Sequence, residues 1–260
     1  MEFNLCELLI KKLTASDVYL IESLSKIQKE NIEKEKSFYF IYQQSNLKTD
    51  YFEALSDPCN SVFYAVNPGE EEIIGVVHYR VVKNTVKLNH VLFKSGITDL
   101  KTMKSLIIDS LKALLQGNSE LNFLDVDVFE KNKKLLNFLL SLGMEISTYN
   151  YWYDITSYCN KGSFESYKDY ISNRFSFTTV QKQKNTKVLH YNNSEVGILI
   201  RNAHLVINSD IDYHFLKKLN FFFKDVGLES VSLVSKKELE LFLIDKSFHL
   251  TIPINRLKAL

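Results

Sequence analysis

Apolar positions recur along this chain sometimes at every second residue and sometimes at every third or fourth, and the two periods alternate. Leu8–Leu13 reads as a short strand. Thr14 to Asp17 forms a cap-like entry to a helix whose apolar face carries Val18, Ile21, Leu24 and Ile27 and runs to about Ile32. The charged run Glu30–Lys36 is the solvated end of that helix. A second helix over Thr49–Leu55 is stopped by Asp57-Pro58. Three strands follow as a meander: Ser61–Val66, Ile73–Val82 and Val86–Phe93, turned at Asn67–Glu70 and Lys83–Thr85. Gly75 sits inside the middle strand, where a glycine marks close backbone approach.

Thr98–Gln116 is a strongly amphipathic helix, with Met103, Leu106, Ile107, Leu111, Leu114 and Leu115 on its buried side. Phe123–Phe129 alternates apolar and acidic residues, as a strand does. Asn132 then caps a helix whose face holds Leu135, Leu136, Phe138, Leu139 and Leu142. Gly143 supplies a left-handed C-cap, and Ile146–Ile155 returns as an aromatic-rich strand.

After residue 156 the order partly repeats. Glu195–Ile200 resembles Ile73–Val77, and Arg201-Asn202 turns the chain into Ala203–Asn208. A helix is expected over about Asp210–Asp225, ended by Gly227, then a strand at Val231–Val234. Lys236–Phe248 parallels Asn132–Met144 position by position, which predicts a second capped helix, closed by a strand at His249–Asn255. Ser163–Asn173 is expected to form one helix in the otherwise missing start of this shorter copy. The expected domains are therefore 1–156 and 157–260.

Composition narrows the function only a little. A 45% hydrophobic and 24% charged chain is that of a soluble globular protein, and the net charge of +1 gives no global reason to bind nucleic acid or membrane. Cys6, Cys59 and Cys159 are too scattered for a metal site or a disulfide framework. No apolar run is long enough to span a bilayer and no signal peptide is evident, so a cytoplasmic setting is expected. Walker, Gly-x-Gly-x-x-Gly, His-Glu-x-x-His and Gly-x-Ser-x-Gly motifs are absent.

Strand, Asn-capped helix, glycine, apolar residue, strand: from Asn132 through Phe138 and Gly143 this order resembles the C-terminal part of the GNAT N-acetyltransferase superfamily. The opening strand, Thr14 to Asp17 and the meander with Gly75 resemble its beginning. The resemblance implies a mixed α/β (α+β) fold, a central mixed twisted sheet flanked by helices, followed by a shorter, degenerate GNAT-like repeat. It implies direct transfer of an acetyl group from acetyl-coenzyme A, or another acyl-coenzyme A, to an amine of a small molecule or peptide, with no metal.

By this resemblance Val91, Leu92 and Phe93 pair with the pantetheine arm, and Thr98, Lys101, Thr102 and Met103 occupy the pyrophosphate loop, with Lys94 and Lys104 nearby. Asn132 completes the cofactor-binding set. The loop's two glycines are replaced by Lys101 and Met103, and the family's tyrosine acid by Leu139. In the second copy Ser209, Asp210 and Asp212 would put negative charge at the corresponding mouth. An amine acceptor needs a general base; His90 and Glu72 are the candidates, with His78 beside them. Tyr39, Tyr42 and Tyr51 are candidates to line the acceptor site, and Tyr149, Tyr151 or Tyr153 to replace the missing acid. Two other readings stand beside this one: a GNAT-like binding or scaffold protein without activity, and an acyltransferase whose donor is carried on a protein or transfer RNA. A homodimer is left open.

Overall fold

The computed structural model describes residues 8–35, 47–67, 72–96, 100–116, 118, 120–159, 175–179, 186–192, 194–200, 204–208 and 230–257. The chain divides into two units, one made of Met1–Thr148 with Phe248–Leu260 and the other of Tyr149–Ser247.

In the first unit β1 (Leu9–Lys12) leads into a 3-10 turn at Ala15–Leu20 and then α1 (Ile21–Glu35). The entry is a capping box: Thr14 N–H and Oγ1 both donate to Asp17 Oδ2, at 2.9 and 2.7 Å. Helix α2 (Leu47–Ser56) precedes the meander of β2 (Asn60–Val66), β3 (Ile73–Val82) and β4 (Thr85–Phe93). Helix α3 (Leu100–Leu115) crosses to β5 (Phe123–Phe129), and α4 (Lys133–Ser141) follows. Asn132 caps α4, its side chain accepting from Leu135 N–H at 3.2 Å. At the other end Gly143 has φ +84°, and the amides of Gly143 and Met144 donate to the carbonyls of Leu140 and Leu139. This is a Schellman cap, closed by buried Met144 and Leu139 in one cluster. These are the elements expected between residues 8 and 144, within a few residues at their ends.

The sheet of this unit runs β1-β2-β3-β4-β5, then the Phe248–Pro253 part of β12 (Leu243–Pro253), then the Glu145–Thr148 part of β6 (Glu145–Asp154). Asp125 meets Thr251 and Asp127 meets His249, so β5 and β12 run in opposite directions. Leu250, Ile252, Ile254 and Leu257 enter the main core beside α3 and α4. A smaller core lies on the other face, where Ile21, Leu24, Ile27, Tyr51 and Ala54 of the two first helices meet Val62, Tyr64 and Val76.

The expected helix over Lys236–Phe248 is not formed. Lys236–Phe242 is irregular and Leu243–Pro253 is strand β12. The alternation Phe248, Leu250, Ile252 against His249, Thr251 is what the two faces of a sheet require, and the main core takes its apolar side. The second unit has β7 (Phe175–Thr179) and β8 (Thr186–Tyr191), which the sequence reading lacked, then β9 (Ser194–Ile200), β10 (His204–Asn208) and β11 (Ser230–Ser235). Its strand order is β6-β11-β10-β9-β8-β7. The β8-β9-β10 meander is antiparallel and β10 is parallel to β11, which repeats the pairing of β2 to β5. Gly197 of β9 approaches β10 so closely that a Cβ would lie 2.8 Å from the Val206 carbonyl oxygen. The helices expected at Ser163–Asn173 and Asp210–Asp225 lie outside the described residues.

Candidate active site

Strand β4 changes character at Asn89. On β3 the residues His78 and Tyr79 are consecutive, yet their partners are His90 and Leu88, so Asn89 is an extra residue on β4. Such a bulge reverses which side chains face which side. Before it, Val86 and Leu88 enter the core under α3; after it, Val91 and Phe93 do, while Leu92 joins the α1–α2 face.

The parallel pairing of β4 with β5 runs from Thr85/Phe123 to Leu88/Val126 and ends there, although β4 continues to Phe93 and β5 to Phe129. A gap therefore opens between the C-terminal ends of two central parallel strands. Lys94 N–H donates to the Ile74 carbonyl, so by strand alternation the main-chain groups of Val91 and Phe93 face away from β3, into this gap. Asn31 of α1 donates to the Phe93 carbonyl at 2.8 Å, leaving the Phe93 amide and the Val91 backbone as the groups presented there.

Phe93 is seated by Gly75. A Cβ on Gly75 would lie 2.9 Å from Phe93 Cδ1 and 3.0 Å from Leu106 Cδ2, so the ring occupies the space that any other residue would fill. Helix α3 begins just beyond the gap with no acidic residue in its first turn, and Lys101 and Lys104 are exposed on it. Its first amides have no intrahelical acceptor and favour an anion. Met103 is in the core, so only its main chain is available to a ligand. Thr102 lies in the same first turn, and Thr98 lies outside the described residues. Asn132 stands at the start of α4, after β5.

His78 and His90 meet edge to face, ring centres 5.2 Å apart, and Tyr51 of α2 lies 6.5 Å from His90. His78 Nε2 is 2.9 Å from Asn60 Oδ1. His90 Nε2 is buried and has no hydrogen-bond partner among the described residues. Burial drives His90 down to about 3, with a smaller contribution from His78; burial, then Arg80, drives His78 down to about 4. Both rings are therefore neutral at physiological pH.

As pH falls below the ordinary histidine value of 6.5, the unfolded chain takes up protons that the folded chain refuses. Folding stability is expected to be full above that value and to fall toward pH 4, by up to about 1.4 kcal/mol per pH unit for each histidine. Urea midpoints measured from pH 8 to 4.5 check this. The slope should be shallower in His90→Gln than in the parent, and equal slopes would contradict it.

Glu72 is not brought to this cluster. It is exposed, ion-paired with Lys94, and about 20 Å along β3 from His78 at the usual strand rise. Leu139 is fully buried in the main core, so no hydroxyl occupies the tyrosine position. Tyr153 is buried in the second unit, its hydroxyl donating to Lys237 O and accepting from Leu239 N–H. Tyr149 and Tyr151, also of that unit, flank Lys246 Nζ at 4.6 and 5.1 Å. Tyr39 and Tyr42 lie outside the described residues. What the sequence reading missed is the group Asp125, Asp127, Thr251 and His249, whose spacing of over a hundred residues hides it. The alternation of Asp125 and Asp127 with apolar neighbours was its one local signal.

Among its described residues the second unit has the same meander and shows no such gap. Parallel pairing of β10 and β11 covers every residue from His204/Ser230 to Asn208/Val234, and β10 meets β9 without a register shift. Among the described residues no group of three or more His, Cys, Asp or Glu could hold a metal, and no helix is long and apolar enough to cross a membrane.

No protein-family model matches the chain, and no curated protein matches it by sequence. Solved structures do. A tandem GNAT protein from the clavulanic acid biosynthesis pathway, solved without acetyl-coenzyme A, superposes with a TM-score of 0.62 at 10% identity, over 95% of this chain and 98% of that one. A GCN5-related N-acetyltransferase from Sphaerobacter thermophilus gives 0.58 at 8% identity, over 95% and 96%. A Pyrococcus horikoshii protein gives 0.63 at 10% identity, over 97% and 92%. At these identities the likeness is one of fold: the chain has the tandem GNAT fold over nearly its whole length.

Proposed function

We propose that this tandem GNAT chain is an N-acyltransferase that works at one site, the gap between β4 and β5 of the first unit. The donor is acetyl-coenzyme A or another acyl-coenzyme A, and the acceptor is an amine of a small molecule or peptide. The observation that carries the reading is the Asn89 bulge together with the end of β4–β5 pairing at Leu88/Val126. The Val91 backbone and the Phe93 amide would bond a pantetheine arm as a neighbouring strand does. The first-turn amides of α3, with Thr102 and the ammonium groups of Lys101 and Lys104, would hold the pyrophosphate. The dense negative charge of that group suits lysines where the glycines of the family loop are missing.

When bound, the donor supplies a thioester carbonyl that a neutral amine attacks directly, with no covalent enzyme intermediate. His90 Nε2, buried and without a partner, would accept a hydrogen bond from the incoming amine and orient its lone pair. Among the described residues β10 and β11 pair throughout His204–Asn208, which favours the first unit as the donor's site.

Titration calorimetry with acetyl-coenzyme A and with coenzyme A tests this. Micromolar affinity at one site per chain is the expected result, and no heat at millimolar ligand would sink it. A stoichiometry of two would remove the assignment to the first unit alone. A binding protein without activity is favoured by one observation, the buried Leu139 where a tyrosine would protonate the departing thiolate. Tight coenzyme A binding with no turnover across a broad amine panel would decide for it. Failure to bind coenzyme A, with turnover of an acyl carrier protein or aminoacyl-transfer RNA, would decide for a carrier-linked donor.

A further inference from the structure

Transfer to an amine leaves a proton to be taken away, and a base works best when its pKa lies near the working pH. Three described histidines belong to the first unit. Burial makes two of them, His78 and His90, poor proton acceptors. The third is His249, on the strand that the sequence reading assigned to the second copy.

We propose that His249, held by Asp127, is the proton acceptor of the transfer reaction, delivered to the first unit's site by β12. This rests on the acyltransferase reading above. The register places it there: Leu88 pairs with Val126, so Asp127 comes next on β5, beside the Asn89 bulge where the gap opens. Leu124, Val126 and Val128 face the main core, so Asp125 and Asp127 face the side of the sheet that His90 and Leu92 share. His249 stands opposite Asp127 on β12, on the same face of the sheet and two strands from Asn89, at least about 10 Å from its backbone, a span that a bound acceptor amine would occupy. Its side chain is 26% exposed and that of Asp127 is 64% exposed, so solvent and an acceptor can reach both.

The hydrogen bonds suit the role. His249 Nδ1 lies 2.9 Å from Asp127 Oδ1. A carboxylate there fixes the proton on Nδ1 and leaves the Nε2 lone pair as the acceptor. Asp125 Oδ2 is 3.5 Å from Nε2, too far for a normal hydrogen bond, while Asp125 Oδ1 accepts from Thr251 Oγ1 at 2.7 Å. When Nε2 gains a proton, Asp125 is in place to stabilise the imidazolium. From β4, Lys87 is the charged neighbour by register with Asp125. From β6, Ser147 donates to the His249 carbonyl, and the charged Glu145 is engaged by Arg256.

The step balances. The amine nitrogen bonds to the thioester carbonyl carbon, the resulting N–H⁺ gives its proton to His249 Nε2, and the C–S bond breaks to release the thiolate. The imidazolium then returns its proton to water.

The test compares the parent with His249→Gln and Asp127→Asn, first for coenzyme A binding and thermal melting, then for kcat/KM against pH with the best amine of a panel. The expected result is unchanged coenzyme A affinity, a loss of about 100-fold or more in kcat/KM for His249→Gln, and disappearance of the acid limb of its pH profile. Asp127→Asn should fold, lose activity to a smaller extent and move that limb, which a merely structural role would not do. A His249→Gln protein within about threefold of the parent and with the same limb overturns the assignment alone. A parent that binds no coenzyme A, or binds it and acylates no amine, brings down the acyl-coenzyme A reading and this assignment with it.

Discussion

Removing Phe248–Leu260 is expected to unfold the first unit, although every element from β1 to α4 stays in the chain. The deleted segment is an interior strand of that unit's sheet, between β5 and β6. It also carries Leu250, Ile252, Ile254 and Leu257, which are 0, 1, 2 and 3% exposed in the main core. Burial of a side chain of this size contributes about 1.5–3 kcal/mol, so the four together contribute about 6–12 kcal/mol. That is comparable with the whole stability of a typical domain, about 5–15 kcal/mol. The cut also strips Thr251 and His249 from Asp125 and Asp127, and leaves β5 as a raw edge that invites aggregation. The same holds for a fragment of residues 1–156, the first domain expected from the sequence. Circular dichroism and thermal melting of both fragments give the answer. A cooperative transition near that of the full chain would contradict a structural role for β12 in this unit.

Gly75→Val is the second large effect, and it reaches both stability and ligand. The new Cβ would start 2.9 Å from the Phe93 ring and 3.0 Å from Leu106, closer than non-bonded carbons sit. The ring is walled by the core, so either β4 shifts or the ring turns into the gap. Overpacking of this kind costs about 1–3 kcal/mol. The displaced Phe93 also carries the amide assigned to the donor, so coenzyme A affinity should fall by more than the stability loss alone explains. Urea denaturation and calorimetry on the same preparation separate the two. A variant as stable as the parent, with equal affinity, would show that the contact is slack.

Much of the first unit could be read from residues whose physics is local. Asn132 caps, Gly143 takes a positive φ, and Gly75 yields room to a neighbouring ring; each is a demand made by the residue's own chemistry. The Asn89 bulge was also written in the chain, since the apolar positions change from Val86 and Leu88 to Val91 and Phe93 and so shift from even to odd. The role that the family resemblance gives Val91, Leu92 and Phe93 does not use that signal. What stayed hidden was non-local. Lys236–Phe248 carries apolar residues at spacings that suit a helix, whereas Leu243–Pro253 is a strand whose Phe248–Pro253 part fills the place beside β5. His249 and Asp127 each look like one more polar position in an alternating run, and their meeting depends on a pairing that no short window contains.

The position of β12 in the sheet also sets a timetable. During synthesis the first unit's sheet cannot close until all of Tyr149–Ser247 has been made. At about 5–20 residues per second that interval lasts on the order of 5–20 seconds. Through that time β5 lacks its neighbour and the underside of α3 and α4 lacks four apolar side chains, so the nascent chain exposes an unpaired edge and an apolar face. Slowing the ribosome across the second unit should lower the soluble yield, where for a protein of independent consecutive domains it would raise it.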